Sequence, residues 1–187
     1  MSKGRLFVIS GASGVGKGTV LERVMQKRSG MEFSVSATTR SPRPSEIPGV
    51  HYDYVTTEAF EAMVEADGFL EYSRHHGGCY GTPLAQVEEK LERGHALLDI
   101  DPNGARQVLE KRPDATLIFI MPPSMEELER RLRGRGDTSP DQIQGRLERA
   151  KWEMEQRYWY HHVVINDVAD DCANEILDII SAVADTN

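Results

Sequence analysis

The sequence has few cysteines and no long hydrophobic run. Its two cysteines, Cys79 and Cys172, lie far apart and form no C-x-x-C pair, so neither a disulfide framework nor a zinc site is expected. No apolar segment approaches the ~20 residues that a membrane-spanning helix needs. The first residues show neither a signal-peptide nor a transit-peptide pattern. We therefore expect a cytoplasmic protein without a membrane partner.

Basic residues are also in the minority. The 187 residues include 22 Lys and Arg against 30 Asp and Glu, which gives a formal charge of −8. A protein that coats nucleic acid needs a broad excess of Lys and Arg, so we expect no nucleic-acid partner, although a local basic pocket is not excluded. The length fits one globular domain with a sizeable core and room for a small lobe or lid. The composition does not specify an oligomeric state.

Short apolar segments alternate with helical patterns along much of the chain. Residues 6–10, 96–100, 116–120 and 163–166 are such segments, and continuous apolar strands of this kind are typical of parallel sheets buried on both faces. The alternation predicts an α/β fold with helices on both faces of the sheet. Residues 33–83 differ, because their strand-like pieces are interrupted by prolines, and we expect a small mixed insert there.

Three helix starts carry capping signals. Thr82 and Pro83 form a favourable pair of N-cap and first helical residue. Two predicted capping boxes, in which a hydroxyl and a reciprocal side chain satisfy the first N–H groups, pair Ser124 with Glu127 and Ser139 with Gln142.

A glycine-rich segment follows the first strand directly. Residues 11–17 fit G-x-x-x-x-G-K between a buried strand and a helix. The glycines let backbone N–H groups converge on phosphate oxygens, and Lys17 reaches the β and γ phosphates. A plain glycine turn is the alternative. Gly18 precedes the hydroxyl of Thr19, so we expect Mg²⁺ to be held through water. The predicted ATP-binding residues of this segment are Gly11, Ala12, Ser13, Gly14, Val15, Gly16, Lys17, Gly18 and Thr19.

A second candidate phosphate site lies in residues 36–43. Arg40 and Arg43 are three residues apart on a proline-stiffened segment beside several hydroxyls. Guanidinium forks match phosphate oxygens better than lysine does. Taken alone, however, this segment is better interpreted as a solvated turn. A machine that only hydrolyses NTP usually needs a switch or partner-driven element, for which this chain is too short and plain, so phosphoryl transfer to a second small substrate fits better.

Together, these two segments resemble the guanylate kinase family, and the resemblance covers nearly the whole chain. Further matching segments occur in the same order and spacing at residues 49–55, 69–72, 80–82, 98–101, 131–136 and 164–167. The resemblance implies a P-loop NTPase core with a parallel sheet covered by helices on both faces, plus a small mixed GMP-binding insert and a helical lid. The implied division of this single domain, residues 1–187, is core 1–32, 84–125 and 160–187, insert 33–83, and lid about 126–159.

The resemblance also implies the acceptor site. Arg40, Arg43, Tyr52 and Tyr80 are the implied ligands of the GMP phosphate, while Ser36, Glu71 and Thr82 bind the guanine with Asp101 close by. Guanine presents N1–H and N2–H₂ as adjacent donors that call for a carboxylate, whereas adenine N1 is an acceptor and would be repelled. Without the resemblance, surface or helix-cap roles are the better interpretation of Glu71 and Asp101.

Residues 130–151 are locally basic, with seven Lys and Arg against three acidic residues. In isolation this fits an exposed pair of helices with mixed charges. The resemblance implies a lid in which Arg135 and Arg146 reach the transferring phosphoryl group, with Arg131 assisting, and implies that Asn166 contacts adenine. The predicted catalytic residues are Lys17, Arg40, Arg135 and Arg146.

A strand-end carboxylate is the metal candidate. Asp99 follows a buried strand, and such strand ends line the ligand crevice of α/β sheets. We expect Asp99 to contact the water shell of Mg²⁺, although it could instead orient Asp101 or Arg40.

The expected function is therefore transfer of a phosphoryl group from ATP to GMP with Mg²⁺ as cofactor, giving ADP and GDP. The substrates are ATP and GMP, with dGMP as a further acceptor. One alternative is another nucleoside monophosphate kinase, since the Gly-Lys-Gly-Thr loop ending also resembles adenylate kinases; Glu71 and residues 36–43 argue against it. The other is a non-catalytic guanylate-kinase-like module that binds peptides, against which the complete phosphate loop argues.

Overall fold

The computed structural model describes residues 4–44, 46–75, 77–134 and 140–184. In chain order its elements are β1 (Leu6–Gly11), α1 (Lys17–Lys27), β2 (Met31–Phe33), β3 (Ser36–Thr38), β4 (Tyr52–Tyr54), α2 (Thr57–Glu65), β5 (Phe69–His75), β6 (Gly78–Pro83), α3 (Leu84–Arg93), β7 (His95–Asp99), α4 (Pro102–Lys111), β8 (Thr116–Met121), α5 (Met125–Gly134), α6 (Pro140–Glu155), a 3₁₀ helix (Gln156–Trp159), β9 (His162–Ile165) and α7 (Ala169–Ala184).

The central sheet contains five strands in the order β2-β7-β1-β8-β9. Every pairing in it is parallel. All six residues of β1 are buried, because its central position leaves neither face open to water. Helices pack around the sheet, with α3 against β7, α4 against β1 and α1 against α7. The predicted α/β fold with a parallel sheet flanked by helices is confirmed.

A second sheet of four strands, in the order β4-β3-β6-β5, lies between Ser36 and Pro83. It is mixed, since β3 pairs with β4 in parallel and with β6 antiparallel. It has a small core of its own, Ala37, Phe60 and Phe69. Phe33, which the sequence assigned to the insert, instead pairs with β7 in the central sheet.

Two of the predicted helix caps need correction. Thr82 does not cap α3, because it lies in β6 and pairs with Glu71 of β5. Its hydroxyl donates to the Glu71 carboxylate, and Pro83 is the N-cap residue of α3. The Ser124 hydroxyl does accept from the Glu127 N–H at 3.1 Å. The reciprocal half of this box is wrong, because the Glu127 carboxylate accepts from arginines on its own helix. Ser139 lies outside the described residues.

The described helices include none that is long and apolar enough to cross a membrane. The end of β7 and the second sheet together line a crevice, which contains Asp99 of β7 and Tyr52 and Tyr80 of the second sheet. Ligands of open α/β sheets bind at the carboxyl ends of the strands.

Candidate active site

The predicted phosphate loop connects β1 to α1 and forms a cavity of about 470 Å³. Gly14 and Gly16 both have φ of +89°, which L side chains rarely adopt. The loop therefore bends back so that its N–H groups and the N-terminus of α1 line one cavity. The lining residues are Gly11, Ala12, Ser13, Gly14, Val15, Gly16, Lys17, Gly18, Asp101, Arg146, Arg149 and Glu153. Thr19 is exposed on the first turn of α1.

Lys17 is held at the mouth of the loop by Asp99. Its Nζ lies 2.5 Å from Asp99 Oδ1, and both side chains are partly exposed. Asp99 ends β7 and pairs in register with Ile9 of β1, so the two parallel strands bring the carboxylate to the lysine. The structure thus gives Asp99 a contact that the sequence did not predict, and its role at a metal remains a prediction.

Asn166 and Arg131 hold the phosphate loop from behind. The Asn166 amide, 3% exposed, donates to the Val15 carbonyl at 2.8 Å. Arg131 Nη1 donates to the same carbonyl and to the Asn166 carbonyl. Both residues therefore position the loop. The predicted contact of Asn166 with adenine remains a prediction.

The second cavity, of about 310 Å³, lies between the second sheet and the carboxyl end of β7. Five of the eight predicted GMP-binding residues line it: Ser36, Tyr52, Glu71, Tyr80 and Asp101. The other lining residues are Ser73, Asp99, Ile100 and Arg149. The structure therefore brings most of this predicted set to one cavity.

Glu71 is the buried carboxyl group of this cavity. Its side chain is 5% exposed and accepts a hydrogen bond of 2.6 Å from the Thr82 hydroxyl. Gly104 allows the first turn of α4 to approach, since a Cβ there would lie 2.7 Å from Glu71 Oε2. The pKa of Glu71 is raised to about 7, chiefly because the carboxyl group is buried; the Thr82 hydrogen bond lowers the pKa, and the nearby Asp101 carboxylate adds to the rise. A surface role for Glu71 is therefore wrong.

Asp101, in contrast, is a helix cap as well as a cavity residue. Its Oδ1 accepts from the Gly104 N–H at 2.9 Å, and Pro102 is the first helical residue of α4. This is a standard N-cap contact that satisfies a first-turn donor. The same carboxylate lines both cavities.

Arg40 is fixed by a carboxylate and two tyrosines. Its Nε donates to the Tyr80 hydroxyl at 3.0 Å, and its Nη atoms donate to Glu46 at 2.7 and 2.6 Å. The guanidinium lies 5.0 Å from the ring centre of Tyr52. Glu46 also accepts from the Tyr54 hydroxyl. These donors, Arg40 first, hold the pKa of the Glu46 carboxyl well below its usual range.

Arg43 is less constrained than Arg40. Its side chain is exposed, and its backbone N–H donates to Glu46 at 2.8 Å. Its predicted contact with the GMP phosphate remains a prediction. Glu46 itself was missed, although a carboxylate six residues after Arg40 in the same stiff segment was a usable signal.

Two further missed residues, Arg149 and Glu153, lie on α6. Glu153 is 4% exposed and accepts from the Ser13 N–H of the phosphate loop at 2.7 Å. Arg149 Nε donates to Glu153 at 3.0 Å, and its Nη2 lies 3.6 Å from Asp101. Their spacing of four residues on a predicted helix indicated a pair, but not its place.

Of the two predicted lid arginines, the structure describes only Arg146. Arg146 lines the phosphate-loop cavity, as its predicted role requires. Arg135 lies outside the described residues.

Comparison with known proteins gives consistent matches over nearly the whole chain. The guanylate kinase family model matches residues 3–183. Guanylate kinases from two strains of Thermus thermophilus are each 50% identical over 181 residues, which is 96% of this chain and 82% and 81% of those proteins.

A solved structure agrees. The guanylate kinase from Anaplasma phagocytophilum superposes with a TM-score of 0.78 at 31% identity, covering 100% of this chain and 89% of that one. The chain belongs to the guanylate kinase family.

Proposed function

We infer that the chain is an ATP:GMP phosphotransferase, which transfers the γ-phosphoryl group of ATP to GMP and gives ADP and GDP. The observation that carries this function is the buried Glu71 carboxyl group in a cavity that adjoins the phosphate loop. A buried carboxylate needs donors to replace water, and guanine supplies two adjacent ones. Adenine would leave Glu71 facing an acceptor, which costs about 1–3 kcal/mol or more.

The acceptor phosphate would bind at the opposite side of this cavity. Tyr52 and Tyr80 line it, and Arg40 contacts the ring of Tyr52 and donates to the hydroxyl of Tyr80. Arg40 already has its orientation fixed by Glu46, so it loses little rotamer freedom when phosphate arrives. Arg43, exposed on the same segment, would add a second guanidinium.

The donor phosphates would bind in the phosphate-loop cavity. The loop N–H groups and the positive end of α1 face the phosphates, and Lys17 and Arg146 add side-chain charge. We propose that Arg135 joins them and that Asn166 faces the adenine. These cations would stabilise charge on the γ oxygens and on the ADP leaving group.

Charge within the two cavities argues for a bound cation. Among the described lining residues, three cations face four carboxyl groups: Lys17, Arg146 and Arg149 against Glu71, Asp99, Asp101 and Glu153. Little net positive charge is left for the ATP phosphates. No three described His, Cys, Asp or Glu residues form a metal cage, but Mg²⁺ is commonly held by substrate phosphates, waters and one or two carboxylates.

The residues present fit Mg²⁺ bound in this way. Asp99, and through water Asp101, would orient its hydration shell. When bound, the ion neutralises charge on the β and γ oxygens of ATP.

The transfer needs no strong base. A GMP phosphate oxygen forms a bond to the γ phosphorus, the bond from that phosphorus to the β–γ bridging oxygen breaks, and ADP leaves with the electron pair. Catalysis then consists of aligning two polyanions and reducing their repulsion. We propose dGMP as a second acceptor, since the proposed contacts address base and phosphate.

An ADP-release assay with GMP, dGMP, AMP and UMP as acceptors tests this function. We expect GMP to be preferred over AMP and UMP. Preference for AMP or UMP would contradict the guanine assignment. A parallel thermal-shift measurement separates the enzyme from a non-catalytic module, because a module would be stabilised by neither Mg²⁺–ATP nor GMP.

A further inference from the structure

Arg149 lies where the two cavities meet. Two residues, Asp101 and Arg149, occur among the lining residues of both the phosphate-loop cavity and the Glu71 cavity. If the first cavity holds the ATP phosphates and the second holds GMP, the γ-phosphoryl group must cross this boundary. Charge on its equatorial oxygens then develops beside one carboxylate and one guanidinium.

We propose that Arg149 is a further catalytic residue, whose guanidinium contacts the phosphoryl group during transfer. This inference rests on the proposed function. Asp101 cannot take that role, because a carboxylate repels phosphate oxygens and its Oδ1 is already used to cap α4. Arg149 is the boundary residue whose charge is of the required sign.

The guanidinium is oriented but retains donors. Glu153 accepts from Arg149 Nε, and Glu153 is itself anchored at its other oxygen by the Ser13 N–H. Asp101 lies near Nη2 at 3.6 Å. Among the described residues, Arg149 Nη1 has no hydrogen-bond partner, so both of its hydrogens remain for an incoming phosphoryl oxygen. The side chain is 53% exposed and can adjust its position.

Arg133 of α5 is an arginine whose contacts are only structural. Arg133 is similarly exposed, at 57%, but its Nε and Nη2 both donate to Glu129 on its own helix. Arg133 lines neither cavity. It therefore offers a matched control with the same side chain, similar exposure and a similar ion pair.

The experiment compares Arg149→Met, Arg149→Lys and Arg133→Met with the wild type. We expect Arg149→Met to lower kcat about 10- to 100-fold, at or below the loss from removing one transition-state donor. The kcat of Arg149→Lys should lie between those of Arg149→Met and the wild type, because lysine keeps the charge but lacks the planar fork of arginine. Arg133→Met should match the wild type. Melting temperatures confirm that all variants fold.

Binding of a compound that joins adenosine and guanosine through five phosphates separates catalysis from structure. For Arg149→Met we expect its Kd to rise at least tenfold, while Kd for ATP and GMP separately changes less than threefold. If Arg149 only held Glu153 against the phosphate loop, ATP binding alone would weaken. That result, or a kcat within twofold of wild type, overturns the inference. A wild-type enzyme that formed no GDP would contradict the proposed function and the inference with it.

Discussion

The proposed donor and acceptor regions offer donors for phosphate in different ways. The donor cavity is built mostly from backbone N–H groups of one continuous segment, residues 11–18. The acceptor cavity is built from side chains that several segments bring together across a second sheet. Backbone donors depend on chain geometry, whereas side-chain donors must each be held in place. The acceptor region therefore depends more on supporting contacts.

Both regions nevertheless use an internal carboxylate. Glu153 accepts from the Ser13 N–H of the donor loop, and Glu46 accepts from Arg40 in the acceptor region. In the donor region the carboxylate contacts a backbone N–H group, while in the acceptor region it fixes Arg40, the side chain proposed to bind phosphate. Substitutions that remove one charge at a time can show whether this difference has functional consequences.

The largest effect is expected at Lys17, a side-chain cation at the phosphate loop. Lys17→Met should lower kcat about 10²- to 10³-fold, since it removes a charge directed at the transferring phosphoryl group. Steady-state kinetics with saturating GMP measure the loss. The control is Lys27→Met on the same helix, where the lysine pairs with Asp170 at the surface. If the two variants were equally active, the donor assignment would be wrong.

The next largest effect is expected at Glu71. Glu71→Ala would remove the two proposed charged hydrogen bonds to guanine, each contributing about 1.5–3 kcal/mol, so kcat/KM for GMP should fall at least about 10²-fold. KM for ATP should change little, because the donor region does not use this residue. Glu61→Ala, on the exposed surface of α2, is the control. An unchanged GMP affinity together with continued rejection of AMP would contradict the guanine role.

The same contrast explains what the sequence could predict. The conformation of residues 11–17 can be predicted from their own sequence, because glycines at fixed positions determine the loop. The flanking strand and helix are also visible as sequence patterns. The alternation of apolar strands and helices likewise predicted the parallel sheet. In the acceptor region the resemblance supplied residues such as Glu71, which no local pattern distinguishes from a surface carboxylate.

Contacts between distant segments were the part that could not be predicted. The Asp99 pairing with Lys17 requires the register of β1 against β7. Arg149 was one of seven basic residues in its region, and only tertiary structure distinguishes it from Arg133. Thr82 was predicted as a helix cap because the Thr-Pro pair is a local signal, but its hydroxyl donates to buried Glu71 instead.

The Kd for guanosine, a ligand of the proposed acceptor region alone, is expected to change about tenfold per pH unit. The pKa of Glu71 is raised to about 7, and guanine requires the ionised form, so binding below pH 7 must release a proton. The Kd for guanosine should therefore rise about tenfold for each pH unit below 7. Guanosine is the probe because the phosphate of GMP has its own pKa near 6. Calorimetry measures both Kd and proton release.

The free protein provides an independent check on this titration. Because the folded-state pKa of Glu71 lies above its ordinary value of 4.5, its contribution to stability is present at low pH and is lost as pH rises from 4.5 through 7. Glu71→Gln should lack this loss in thermal unfolding. A guanosine Kd independent of pH between 5.5 and 7 would show that the carboxyl group is ionised throughout, contrary to this expectation.

The smallest effect, on KM for GMP, is expected on substitution of Glu46. This substitution tests most directly whether the donor and acceptor regions differ in their dependence on a carboxylate. Glu46→Gln removes the charge that fixes Arg40 while keeping the side-chain shape. Arg40 would then lose part of its preorganisation, and KM for GMP should rise about 3- to 10-fold, in line with ordering one long side chain at about 0.5–1.5 kcal/mol. KM for ATP should stay within twofold, since the donor loop does not depend on this contact.

Glu61→Gln is the matched control for Glu46→Gln. Glu61 also accepts two hydrogen bonds from one arginine, Arg74, but this pair is exposed to solvent. Exposed pairs of this kind contribute little, so its GMP kinetics should match the wild type. An equal rise in KM for both variants would point to general loosening of the insert. A rise for Glu46 alone would show that the acceptor region, unlike the donor loop, depends on a carboxylate to orient its phosphate-binding group.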